Sequence, residues 1–216
     1  YKTVVFDLDG TLLNTLTDLA DAGNRLCRKY GWPTHERQAY RYFVGNGIPK
    51  LVERLAPADQ RTPAVLEAAL ADFKRDYGQH LRDTTAPYPG IPEMLAKLKA
   101  NGVQLAVFSN KADALAKEVV KDYFGTQYFT IVRGQMTGVA PKPAAEGTNA
   151  LLQALHADPA STLYVGDSNV DVETAHNANL PCCGAVWGFR TREELNAAGA
   201  EYLAENSDEL YDVIMK

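Results

Sequence analysis

The chain opens with YKTVVFDLDGTLLNT, residues Tyr1 to Thr15. The apolar run Val4-Val5-Phe6 has the near-continuous character of a strand covered on both faces. It stops at Asp7, and a second carboxylate, Asp9, follows after a single leucine. Two like charges this close raise each other's pKa, so a fold that keeps both needs a cation or a proton-transfer task for them.

Working outward from that strand, short apolar runs alternate with segments of helical period, the pattern of a parallel sheet with crossover helices. Strands are predicted at 3–7, 104–109, 162–167 and 182–186, with a weaker one near 130–133. Helices are predicted at 112–123, 144–156 and 170–178, and a last one, capped by Ser207, through Ile214. A simple crossover unit takes about 30 residues, yet nearly a hundred separate Asp7 from Gln104. The intervening segment is helical in period. Leu16, Leu19, Ala20, Gly23, Leu26, Cys27 and Tyr30 share one face that ends at Gly31. Val65, Ala69, Phe73, Tyr77 and Leu81 form a second stripe, started by Thr62-Pro63. Between them, Gly45-Asn46-Gly47 reads as a helix–helix turn. The expected fold is therefore α/β: a Rossmann-like doubly wound parallel sheet core, residues 1–14 and 86–216, with an inserted all-helical cap domain, residues 15–85.

Composition narrows the function. The 216 residues carry a formal charge of −5 with no basic stripe, which argues against nucleic acid as a partner. No apolar run approaches the roughly 18–20 residues that span a bilayer, so no membrane is expected. The N-terminal residues show no basic stretch followed by an apolar one. Cys27, Cys182 and Cys183 lack any metal-ligand spacing, and reduced thiols in a cytoplasmic protein are the expectation.

Open parallel sheets place their sites outside the carboxyl ends of the strands. Four segments can reach that edge: DLDGT at 7–11, SNK at 109–111, Lys142-Pro143, and GDSNVD at 166–171. With neighbouring strands about 4.8 Å apart, adjacency of these strands would bring Asp7, Asp9, Ser109, Asp167 and Asp171 to one pocket. Several carboxylates without a balancing arginine cluster point to a hard dication, Mg²⁺.

Motif order, intervals and cap position together resemble the haloacid dehalogenase superfamily, specifically its phosphatases with a helical cap after the first motif. Within it, FVGNG at 43–47, YPGIPEMLAKLKANGVQLAVFSNK at 88–111 and LYVGDSNVDVETAHNANLP at 163–181 are most similar to the phosphoglycolate phosphatases. The resemblance spans essentially the whole chain and implies a Mg²⁺-dependent phosphomonoesterase that works through an aspartyl-phosphate on a small phosphorylated metabolite. It implies Asp7 as nucleophile and Asp9 as general acid, then base. Lys142 would be the cation between Asp7 and phosphate. The Ser109 hydroxyl and backbone N–H groups near Leu8, Asp9 and Asn110 would hold the phosphoryl oxygens. Mg²⁺ would lie on the Asp7 side chain, the Asp9 backbone carbonyl and Asp167, oriented or joined by Asp171. In the cap, Asn46 and Lys50 would be candidate substrate contacts. A proton donor at Asp9 favours an oxygen leaving group over a halide.

Plainer readings stand beside these. DxDG could open an EF-hand, but that loop needs glycine sixth and here it is fourth. Ser109 alone reads as a helix N-cap, Lys142 and Lys50 as surface lysines, Asn46 as a turn residue, and Thr11 as closing the turn after the acids. Two positions depart from the family pattern: Asn14-Thr15 stands where an acidic residue precedes serine or threonine, and KPAA replaces KPxP. Alternatives include a pyrophosphatase or nucleotidase of the same fold and a sugar phosphomutase, which typically carries valine or isoleucine where Thr11 stands. More remote is a receiver-like phosphate-responsive module. A monomer or homodimer is expected.

Overall fold

Strand β1 (Thr3–Phe6) is buried at every residue, as a strand covered on both faces must be. The computed structural model describes residues 1–216. They form two units, Tyr1–Leu13 with Pro87–Lys216, and Asn14–Ala86. The chain leaves the first unit through β2 (Leu13–Asn14).

The Asn14–Ala86 unit is helical. Helix α1 (Leu16–Tyr30) buries Leu19, Ala20, Gly23, Leu26 and Cys27, and it ends where Gly31 takes φ 68°. Helices α2 (Arg37–Phe43) and α3 (Ile48–Leu55) flank Gly45-Asn46-Gly47, whose glycines have φ of 114° and 84°. Such values are costly for any residue with a Cβ, so the turn depends on both glycines. Helix α4 (Pro63–Gln79) starts as its sequence predicts, the Thr62 hydroxyl accepting from the Val65 N–H at 3.4 Å, and buries Ala69, Phe73 and Tyr77. A contact that periodicity does not reveal closes the unit. The buried Asp18 carboxylate accepts from the backbone N–H and the hydroxyl of both Thr84 and Thr85, at 2.6–3.1 Å.

The return passes through β3 (Ala86–Pro87) into α5 (Ile91–Ala100), β4 (Gln104–Ala112), α6 (Asp113–Phe124), β5 (Phe129–Gln135) and α7 (Ala145–Leu155). There follow β6 (Thr162–Gly166), α8 (Asn169–Asn177), β7 (Cys182–Ala185), α9 (Arg192–Ala197), β8 (Tyr202–Ala204) and α10 (Ser207–Met215). The six-stranded sheet runs in the order β5-β4-β1-β6-β7-β8, with every pair parallel. β1 lies between β4 and β6, with Phe6 level with Val107 and Val165. Asp7, the next residue, thus leaves the sheet beside the carboxyl end of β6, while β4 runs on past it to Ala112. Val5, Ala106, Tyr164, Val172 and Leu195 pack one face. No helix is long and apolar enough to cross a membrane.

The structure corrects the sequence reading at several elements. β4 continues through Ser109, Asn110 and Lys111 to Ala112, so Ser109 lies within a strand and caps no helix. The last helix is capped by Asn206, whose side chain accepts from the N–H groups of Asp208 and Glu209, and Ser207 is its first residue. α5, α9 and β8 carried no expectation. α9 and β8 have only six and three residues, too short for periodicity to show.

Candidate active site

The carboxyl edge of β1 is followed by a tight turn, in which the Leu8 carbonyl accepts from the N–H groups of Thr11, Leu12 and Leu13. Gly10 sits in it at φ 93°, and a Cβ there would lie 2.3 Å from Asp167 Oδ2. Glycine is thus required twice, for its backbone angle and for the close approach of the acid. Asp7, Asp167 and Asp171 are buried, and each offers a carboxylate oxygen within 4.8 Å of the others. Asp7 comes from the end of β1, Asp167 from the end of β6, and Asp171 from the first turn of α8.

Lys142 enters this cluster from the loop before α7. Its Nζ donates to Asp7 Oδ1 at 2.8 Å, Asp171 Oδ1 at 2.7 Å and the Tyr164 hydroxyl at 3.2 Å. The loop is held by Asn110, whose Oδ1 accepts from the Lys142 N–H at 2.9 Å while its Nδ2 donates to the Lys142 carbonyl at 3.3 Å. The two-point amide clasp stabilises this loop, which lacks the second proline of KPxP. Asp171 is held at both oxygens: Oδ1 takes Lys142 at 2.7 Å, and Oδ2 takes the Ser168 N–H and hydroxyl at 3.1 and 2.6 Å. Asp167 accepts from the Thr11 hydroxyl at 3.1 Å and the Phe189 N–H at 2.7 Å.

The electrostatics are unbalanced. Burial pushes the Asp7 carboxyl well above its ordinary pKa; Lys142 opposes this, while Asp171 and Asp167 reinforce it. Burial and then Asp171 push Asp167 up to about 7, against the Phe189 and Thr11 hydrogen bonds. For Lys142, burial alone would lower the pKa, but Asp171 and Asp7 carry it well above the usual value, so it stays a cation. Three buried carboxylates meet one lysine, within hydrogen-bond reach of Asp7 and Asp171, and Arg190, near Asp167, adds a weaker opposing charge. Hard oxygen donors at this spacing fit a divalent ion such as Mg²⁺.

Of the residues singled out in the sequence, Asp7, Lys142, Asp167 and Asp171 meet in one cluster. Ser109 and Asn110 follow on β4, both buried; Ser109 Oγ accepts from the Lys111 N–H at 3.1 Å. The Asp9 carboxylate is not in the cluster. It pairs with Lys111, whose Nζ lies 3.0 Å from Oδ1 and 3.4 Å from Oδ2. In the helical unit, Asn46 Oδ1 accepts from Arg54 at 2.9 Å and Lys50 pairs with Glu53 at 2.8 Å.

Sequence reading missed Lys111, Tyr164 and the bond from Thr11 to Asp167. Lys111 stood inside a quoted motif without a partner to give it meaning. Tyr164 is indistinguishable in sequence from an ordinary core aromatic.

A family model described as haloacid dehalogenase-like hydrolase matches residues 4–185. The chain belongs to this family. The phosphoglycolate phosphatase of Chromobacterium violaceum is 31% identical, over 99% of this chain and 96% of its own length. That of Thiobacillus denitrificans is also 31% identical, over 87% and 84%. Among solved structures, one from Lactobacillus delbrueckii subsp. bulgaricus has a TM-score of 0.93 at 28% identity, covering 99% of this hydrolase and 98% of that chain. CbbY from Rhodobacter sphaeroides, solved with phosphate, shares the fold with a TM-score of 0.80 at 23% identity, over 97% and 96%.

Proposed function

We propose that this hydrolase is a Mg²⁺-dependent phosphatase of small phosphomonoesters, with 2-phosphoglycolate as its substrate and a cytoplasmic location. The observation that carries the reading is Lys142 bridging Asp7 and Asp171 within a buried acidic cluster. The phosphoglycolate phosphatases that align over nearly its full length support the choice of substrate.

In this reading Asp7 attacks phosphorus, forming an aspartyl-phosphate as the ester oxygen departs. Asp9 delivers a proton to that oxygen and then takes one from the water that opens the intermediate. Lys142 holds Asp7 in position and offers positive charge to the phosphoryl oxygens. The Ser109 hydroxyl and the N–H groups of Leu8 and Asn110 complete the phosphoryl cradle. Tyr164 and Asp171 fix the Lys142 ammonium, so its position is set before substrate arrives. Asp7, the Asp9 carbonyl and Asp167 would hold Mg²⁺, whose contribution when bound is to screen the nucleophile from its anionic target. The helical insert acts as a cap that selects small substrates, with Asn46 and Lys50 as candidate contacts.

The test is phosphate release with Mg²⁺ from 2-phosphoglycolate, pyrophosphate, nucleoside monophosphates and hexose phosphates. The expected result is a clear preference for 2-phosphoglycolate. Glucose 6-phosphate formed from β-glucose 1-phosphate, in place of released phosphate, would instead establish a mutase.

A further inference from the structure

The turn between α2 and α3 is held by a residue that the steps above do not use. Arg54, in the last turn of α3, reaches back along it. Its Nη1 donates to the Phe43 carbonyl at 2.8 Å and the Tyr42 carbonyl at 3.3 Å. Its Nη2 donates to Asn46 Oδ1 at 2.9 Å. The two carbonyls belong to the last residues of α2, where the helix dipole favours a cation. Capping α2 engages one limb of the guanidinium fork. The other limb goes to the single side chain of Gly45-Asn46-Gly47, so the end of one helix and the turn are tied by one group.

That tie fixes more than a position. An asparagine amide has an acceptor end and a donor end of nearly equal shape, whereas a guanidinium carries donors only. Arg54 must therefore take the oxygen, and the Nδ2 end is turned away from it. The planar fork suits this task, because it meets carbonyl and amide oxygens at a set spacing that a lysine ammonium does not. The flanking glycines, at φ 114° and 84°, occupy a backbone region that glycine enters freely and leaves freely. A clamp on the side chain between them removes that freedom before a ligand arrives, and pre-organisation of this kind strengthens binding.

We propose that Arg54 is a positioning residue for substrate recognition: it orients the Asn46 amide so that Nδ2 donates to a charged oxygen of the bound substrate. This rests on the phosphatase reading, with Asn46 as a substrate contact. It deepens that reading by assigning which end of the amide meets the substrate and which residue sets it.

The experiment measures kcat and KM for 2-phosphoglycolate in wild type, Asn46→Asp, Asn46→Ala, Arg54→Met and the variant carrying both Asn46→Ala and Arg54→Met. Asn46→Asp keeps the oxygen that Arg54 holds and replaces the NH₂ group with a second oxygen. Its KM should rise about 10- to 100-fold, the worth of a hydrogen bond to a charged group, with kcat little changed. Its thermal midpoint should not fall, because the bond to Arg54 becomes charge-assisted. Arg54→Met should raise KM about 10-fold alone and less than about twofold beside Asn46→Ala, the non-additivity of residues in contact. Additive losses would overturn the proposal, since Arg54 would then act on the substrate or the fold by a route of its own. An unchanged KM in Asn46→Asp would overturn it as well, whether or not Arg54→Met folds. Absence of phosphate release from every ester in wild type would instead defeat the phosphatase reading itself.

Discussion

Asp7 and Asp9 show how one residue type takes two roles through its surroundings. Asp7 is buried against Lys142 and two other acids, whereas Asp9 is partly exposed and faces Lys111. Asp7→Asn should lower turnover by more than about a thousandfold in a steady-state phosphate-release assay, because the covalent route closes. A variant within tenfold of wild type would falsify that route. Asp9→Asn should lose far more rate on an alkyl phosphate than on para-nitrophenyl phosphate, whose leaving group needs little protonation. Equal loss on the two would remove Asp9 from the acid role. Thr11→Val deletes the hydroxyl that orients Asp167, and calorimetric titration should show Mg²⁺ affinity about 10- to 100-fold weaker. Unchanged affinity would place Asp167 outside the metal site. Asp7 and Asp9 were legible in sequence because two like charges at the end of a buried strand raise each other's pKa and call for a compensating partner. The partners were not, because Thr11, Tyr164 and Lys111 acquire meaning only through contacts 156, 22 and 102 residues away.

At the scale of elements, Asp18 decides whether the helical insert is closed. Burial alone would raise its pKa, but the Thr84 and Thr85 hydrogen bonds outweigh it, leaving the carboxyl below its ordinary value. A depressed pKa in the folded state contributes stability that is complete above the usual Asp value of about 4. That contribution is lost as pH falls through the lower, folded value. Asp18→Asn should therefore destabilise by about 1.5–3 kcal/mol at neutral pH, read by chemical denaturation. The gap between variant and wild type should narrow below about pH 4; a gap constant down to pH 2 would show that ionisation of Asp18 plays no part. Element types were readable wherever period and caps agreed, as in α1 with Gly31 and α4 with Thr62. They were misread where a tertiary partner extended the backbone, as when β5 carries β4 past Ser109 to Ala112.

At the scale of the whole molecule, the two units have different internal support. β1 is hydrogen-bonded on both sides and buried throughout, whereas α2 and α3 have seven and eight residues and bury only Tyr40 and Leu51, Val52 and Leu55 respectively. Native-state hydrogen exchange should find the amides of β1, β4 and β6 protected to the global limit, and those of α2 and α3 opening at lower free energy. Uniform protection would make the protein a single cooperative block. The sequence by itself determined the parallel α/β core, the helical insertion and the positions of Asp7, Asp167 and Asp171, which the fold brings together, because periodicity, strand-ending charge and turn chemistry are local properties written along the chain. Beyond the Lys142–Asp7 pairing that the family resemblance implied, only the tertiary structure decided which cation meets which acid. Lys142 going to Asp7 and Asp171, and Lys111 to Asp9, follow from strand order and register, which bring together groups that no local pattern relates.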